Sequence, residues 1–191
     1  APFVAFAACA IKASVGPGRF SKVIAMTPEA SSAPRRATPG DADELTRLRE
    51  IMLVAVGVVA VSAGADWRTA CAADLRRRLA GGPDAVGFVV DQVPGVHGRL
   101  AASGIGLVRH ELPGPLSLDG RVGYVLSVCT DEAFRGRGYA TAIMSSLLEW
   151  FRGEGIRKVD LHASPFGIEI YRRLGFVEPA NPELSWRDPA P

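Results

Sequence analysis

The stretch DEAFRGRGYATAIMSSLLEWF, Asp131 to Phe151, decides how this chain is read. Ala140, Ile143, Met144, Leu147, Leu148 and Phe151 recur at helical spacing, so a helix with one apolar face opens just after the glycines. The first amides of any helix lack internal partners, and the dipole adds about half a positive charge there. Gly136 and Gly138 let backbone approach an anion closely and adopt conformations closed to other residues. Arg135 and Arg137 add charge, and a guanidinium fork suits phosphate. Thr141 adds a hydroxyl. A tight strand-to-helix turn with two solvated arginines fits the loop equally well. A P-loop does not fit, because no lysine follows Gly138 in the required place. A dinucleotide fingerprint fits poorly, because antiparallel strands precede the loop.

Upstream, RVGYVLSVCT (121–130) reads as a strand with Tyr124, Leu126, Val128 and Thr130 on one face and Val125, Ser127 and Cys129 on the other. AVGFVVDQ and RLAASGIGLVRHEL come before it, joined by turns, and adjacent strands of this kind pair antiparallel. Downstream, IRKVDLHAS is a further strand, with Val159, Leu161 and Ala163 facing together. A strand, a helix and a strand make a crossover between parallel neighbours. PFGIEIYRRLGF then gives a short helix stopped by Gly175, and the remainder supplies one or two final strands.

Nearer the start, PRRATPGDADELTRLREIM begins with a short extended piece and a turn. Asp41 or Asp43 caps a helix there, with Glu44 three residues after Asp41 as in a capping box. Leu45, Leu48, Met52 and Ala55 line its apolar face. A second helix starts near Asp66 and places Trp67, Cys71, Leu75 and Leu79 together, with Arg76 to Arg78 solvated near its end. VAVGVVAVSAGAD between them reads as an irregular helix end plus a loop. The expected fold class is mixed α/β, antiparallel first and parallel later.

The totals exclude several classes. With 191 residues, 48% of them apolar and 22% charged, the chain is ordinary globular material of one domain's length. A net charge of +2 leaves no dedicated nucleic-acid face. Cys9, Cys71 and Cys129 are odd in number and lack CxxC spacing, so neither a disulfide framework nor a zinc site follows, and no metal is expected. The apolar run APFVAFAACAI is shorter than the roughly 20 residues that span a bilayer. It also lacks a preceding basic region, since Lys12 follows it. A cytoplasmic protein without a membrane partner is the expectation. Met26 opens MTPEASSAPRR like a native beginning, so residues 1–33 read as an accessory extension and residues 34–191 as the domain.

Together with the segment downstream of its helix, the loop resembles motif A of the GNAT superfamily of N-acetyltransferases, as Arg135-Gly136-Arg137-Gly138-Tyr139-Ala140. LHASPFGIEIYRRLGFVE resembles that superfamily's motif B, ending in Tyr-x-x-x-Gly-Phe at Tyr171 to Phe176. The order of elements is similar too, over about Pro34 to Arg187. The resemblance implies a GNAT-like fold with a splayed parallel pair of strands, and acetyl-CoA as donor. Backbone groups at Val128, Cys129 and Thr130 would meet the pantetheine arm, and the amides of Gly136, Arg137, Gly138, Tyr139, Ala140 and Thr141 the pyrophosphate, with Arg135 beside them. Ser164 stands where many relatives carry an asparagine near the cofactor. Tyr171 matches the tyrosine that protonates the leaving thiolate. The implied acceptor is a small-molecule amine or a protein N-terminus or lysine, and the implied assembly a monomer or homodimer.

One part of the pattern is missing. An amine of pKa about 10.4 must lose a proton before it attacks, at a cost of roughly 4 to 5 kcal/mol at neutral pH. Many relatives carry a carboxylate on the strand before motif A, and YVLSVCT has none. His110 and Glu111 at a strand end are the candidate replacements, or a water chain. His162, opposite the Leu161/Ala163 face of its strand, is placed where it could approach the cleft, though it reads first as a sheet-surface histidine. Cys129 reads as packing, with nothing nearby to make it a nucleophile. The acceptor would meet VAVGVVAVSAGADW and EPANPELSWRD, which offer apolar surface with Trp67 and Trp186. The alternative function is an acyl-CoA-binding sensor or partner module of weak activity on the same fold.

Overall fold

The computed structural model of the protein describes residues 33–58, 67–115, 117–180 and 183–186. Five strands form one sheet in the order β1 (Arg35–Arg36), β2 (Ala85–Val93), β3 (Val96–His110), β4 (Arg121–Thr130) and β5 (Val159–Leu161). The first four pair antiparallel and β4 pairs parallel with β5, as the turn lengths and the crossover require. Helices α1 (Ala42–Ala55) and α2 (Trp67–Leu79) cover one face, and α3 (Tyr139–Gly153) covers the other. A short α4 (Ile168–Arg173) follows β5, and Gly175 ends it in a left-handed conformation with φ 92°. Residues 1–32, with the apolar run and Met26, lie outside the described part.

The α3 stripe buries as its spacing demands. Ile143, Met144, Leu147, Trp150 and Phe151 pack on Val86, Val90, Val108 and Val125. That close seating depends on missing side chains in the sheet. A Cβ at Gly104 would lie 2.5 Å from Ile143 Cγ2, and one at Gly123 would lie 2.8 Å from the Phe151 ring. Glycine here makes room instead of making a turn.

The α1 face holds a second cluster of Leu45, Leu48, Val89, Leu100, Ile105 and Cys129. Its entry differs from the expected Asp41–Glu44 capping box. A 3₁₀ turn over Pro39–Asp41 precedes α1, and the Thr38 N–H donates to Asp41 Oδ2 at 2.7 Å. Glu44 turns instead toward the sheet, accepting the Leu100 N–H at 3.0 Å and pairing with Arg47. Asp41 is claimed from the other side by Arg35, which also holds Asp91, at 2.8 and 2.7 Å. Burial works against the Asp41 charge, but Arg35 and Thr38 outweigh it and hold the carboxyl down to about 2.

Strand β4 departs from simple alternation at Ser127. Its register with β3 runs from Ser103↔Cys129 to Ile105↔Leu126, so two residues of β4 stand opposite Gly104 alone. Ser127 takes a left-handed φ of 55°, the only non-glycine to do so among the described residues. The bulge flips the faces. Val125 and Val128 pack with α3, while Leu126 and Cys129 pack with α1, so Leu126 and Val128 do not share a face as the alternation suggested. The expected final strands are absent among the described residues after α4. No helix among the described residues is long and apolar enough to cross a membrane.

Candidate active site

Strand β5 stays with β4 only from Gly123↔Val159 to Val125↔Leu161. Beyond that point the bulge turns β4 away, and a cleft opens between the two parallel strands. Asp131 N–H donates to Ala101 O on β3 at 2.8 Å. Strand alternation therefore turns the N–H and C=O groups of Val128 and Thr130 toward the side that β5 has vacated. Arg49 on α1 fixes the bulge, its Nη1 donating to Ser127 Oγ at 2.5 Å.

The glycine loop forms the next wall. Gly136 and Gly138 both take left-handed conformations, with φ 76° and 81°, and a Cβ on either would meet nothing within 4 Å. The loop thus presents open space over bare backbone. The first helical bond of α3 runs from Ala142 N–H to Gly138 O at 3.0 Å, so the N–H groups of Tyr139, Ala140 and Thr141 precede the helical ladder. Arg135 leans back to Thr130 O at 3.5 Å, and Arg137 lies over the Phe134 ring at 5.1 Å.

A cavity of 890 Å³ joins these walls, large enough for a small-molecule site. Val128, Cys129, Thr130, Arg135, Gly136, Gly138, Tyr139, Ala140, Thr141, Ser164 and Tyr171 all border it, and Arg137 does not. The residues singled out in the sequence thus converge, apart from that one arginine. A neighbouring cavity of 550 Å³ shares Val128, Ser164 and Tyr171 and reaches Leu126, Ser127 and His162. A third, of 360 Å³, lies between α1, α2 and the sheet, with Trp67 and Arg49 in its wall.

Tyr171 sits on α4 with its ring edge toward Phe176, the centroids 6.0 Å apart. Burial raises its hydroxyl above the ordinary phenol value, so the proton stays on at neutral pH. Among the described residues its hydroxyl has no hydrogen-bond partner, which leaves it free to serve a ligand in the cavity. Cys129 is buried, and burial pushes its thiol up to about 11, which suits packing and not attack.

The candidate bases separate. His110 pairs across from Arg121, at the end of β4 opposite to Thr130, about 30 Å along the strand. It lies beside Asp84, and Glu111 lies beside Arg109. Neither borders the cleft. His162 does, and its ring touches Tyr124 and Glu183, contacts that local patterning could not supply. Trp186 is exposed, and the loop between α1 and α2 falls outside the described residues beyond Val58. No group of three or more potential metal ligands occurs among the described residues.

Comparison with known proteins agrees with this geometry. A sequence profile described as the Acetyltransferase (GNAT) family matches residues 60–176, more than half the chain. The chain therefore belongs to the GNAT acetyltransferase family. Glucosamine 6-phosphate N-acetyltransferase 1 of rice (Oryza sativa subsp. japonica) is 41% identical over 81 residues, which is 42% of this chain and 47% of that protein. A probable glucosamine 6-phosphate N-acetyltransferase 2 from rice is 35% identical over 109 residues, 57% of this chain and 62% of its own length. The chain thus spans roughly half to three-fifths of these relatives. A GCN5-related N-acetyltransferase from Ralstonia eutropha JMP134 superposes with a TM-score of 0.69 at 25% identity, covering 81% of this chain and 98% of that one. The fold is also shared with glucosamine-6-phosphate N-acetyltransferase from Arabidopsis thaliana, at a TM-score of 0.62 and 18% identity over 82% and 99% of the two chains.

Proposed function

We propose that the chain transfers the acetyl group of acetyl-CoA to a primary amine by direct attack within a ternary complex, with residues 34–191 as the catalytic domain. The parting of β4 from β5 after Val125 and Leu161, directly beside the bare glycine loop, carries this reading. Both walls meet in one cavity, and Tyr171 borders it.

The residues present fit the donor. The amides from Gly136 to Thr141 form an anion cradle at the start of α3, which takes a pyrophosphate with Arg135 beside it. Open space above Gly136 and Gly138 admits such a group, where a side chain would not leave room. The outward N–H and C=O groups of Val128 and Thr130 pair with an amide-bearing arm as β5 would have done. Bound there, acetyl-CoA supplies an activated acyl group. The N–H of Val128 or Thr130 meets negative charge that develops on the acyl oxygen. Tyr171 Oη holds a proton for the departing sulfur.

The named relatives act on glucosamine 6-phosphate, so a small-molecule amine is the preferred acceptor, and amino sugars are the first to try. A thermal-shift series with acetyl-CoA, CoA and NAD tests the donor site. Stabilisation by both CoA species and not by NAD supports it, and no shift with either CoA species refutes it. Binding without amine-dependent thiol release would favour the sensor reading over the enzyme.

A further inference from the structure

The acceptor amine must lose a proton, and β4 offers no carboxylate to take it. The structure supplies another group where β4 and β5 part. His162 directly follows β5 and lines the 550 Å³ cavity that Tyr171 also borders. Tyr124 Oη lies 2.5 Å from His162 Nδ1, and the Glu183 carboxylate lies 3.2 Å from Nε2. A carboxylate only accepts, so Nε2 carries the hydrogen and Nδ1 presents its lone pair to the Tyr124 hydroxyl. The Tyr124 oxygen then keeps lone pairs for another proton. Before the bulge, Tyr124 shares its face of β4 with Leu126, which borders both the 550 Å³ and the 360 Å³ cavities. The chain of contacts thus stands on the sheet face that α1 and α2 pack against, beside the cleft.

The surroundings hold the chain ready. Arg109 on β3 stacks over the Tyr124 ring at 4.3 Å, and is itself paired with Asp160 on β5 at 3.1 Å. Glu111 lies 3.6 Å from Arg109, and Lys158 lies 3.2 Å from Asp160. Burial first, then Glu183 and Asp160, keeps the proton on Tyr124 against the pull of Arg109.

We propose that Tyr124, His162 and Glu183 form the relay that accepts the proton of the acceptor amine, an inference that rests on the transferase function above. An ammonium proton passes to Tyr124 Oη, directly or across one water, as the Tyr124 proton moves to His162 Nδ1. The Glu183 carboxylate steadies the imidazolium, and His162, 64% exposed, returns that proton to solvent. The freed amine forms the N–C bond as the C–S bond breaks, and the sulfur takes the proton of Tyr171. The second amine proton, lost as the amide forms, restores the Tyr171 hydroxyl.

The experiment has two arms. Nitrogen-15 NMR of the full chain reads the neutral His162 ring, assigned by the signal lost in His162→Gln, and the relay requires the Nε2–H form. Kinetics then compare the wild type with Tyr124→Phe and His162→Gln. Each variant should lower kcat/KM for the amine about 100-fold at neutral pH. That deficit should shrink as the pH approaches the amine's own pKa, with acetyl-CoA affinity unchanged. An Nδ1–H ring overturns the relay, and so does an active wild type whose two variants keep its rate and pH profile. A wild type that binds acetyl-CoA but acetylates no amine overturns the transferase reading and the relay with it.

Discussion

Tyr171→Phe isolates one hydroxyl. The ring remains, with its edge against Phe176, so no cavity forms and the fold should lose less than about 1 kcal/mol. The hydroxyl has no partner among the described residues, so its removal strands no other buried group. In the proposed reaction, what goes is the proton offered to the departing sulfur, and a positioned acid contributes about 100- to 10,000-fold. That corresponds to roughly 3 to 5 kcal/mol of barrier. Thiol release monitored at saturating amine should therefore show kcat down at least about 100-fold, with the acetyl-CoA dissociation constant unchanged. Because burial raises the Tyr171 pKa, its acid form is complete throughout the neutral range. Its ionisation should put no falling limb on the wild-type rate below about pH 10. Parallel loss of affinity and turnover would make Tyr171 a packing residue, and a near-normal kcat would remove it from the chemistry.

Other perturbations separate site from scaffold. Gly138→Val places a β-branched residue at φ 81°, costing about 1 to 2 kcal/mol of backbone strain and filling the cradle. Calorimetry should show acetyl-CoA affinity reduced at least about tenfold, and normal affinity would refute the loop assignment. Gly104→Ala drives a Cβ to 2.5 Å from Ile143 Cγ2, an overpacking worth about 1 to 3 kcal/mol in urea unfolding; an unchanged midpoint would contradict the seating of α3. Asp41 has its folded pKa lowered from 3.8 to about 2, so its contribution is present above the unfolded value and is lost as pH falls toward 2. Asp41→Asn should cost about 2 kcal/mol at pH 7, with the gap to the wild type closing between about pH 4 and 2; a gap independent of pH would contradict the ion pair with Arg35.

The parts of this fold that follow from local spacing were legible in the sequence. The α3 stripe, the left-handed glycines ahead of it and the crossover to β5 all rest on patterns within about 30 residues. They also locate the glycine loop at the start of α3, the proposed cradle, without help from distant residues. The bulge was not legible, because Ser127 looks like any alternating strand residue, and only the register against Gly104 reveals the extra residue. That single insertion puts Leu126 and Val128 on opposite faces. The contact between Tyr124 and His162 was hidden for a related reason. It joins residues 38 apart through the parallel register of β4 and β5, which no local pattern specifies. The expected capping box failed because Arg35 and Thr38 take Asp41, which leaves Glu44 free to hold Leu100.

Product formation tests the proposed transferase function most directly. The full chain is incubated with acetyl-CoA and a panel of primary amines led by glucosamine 6-phosphate, and thiol release and N-acetylated product are read together. An amine acetyltransferase gives thiol release that depends on the amine, matched by its acetylated form in equal amount. Thiol release at the same rate with and without every amine, and no acetylated product, would contradict it.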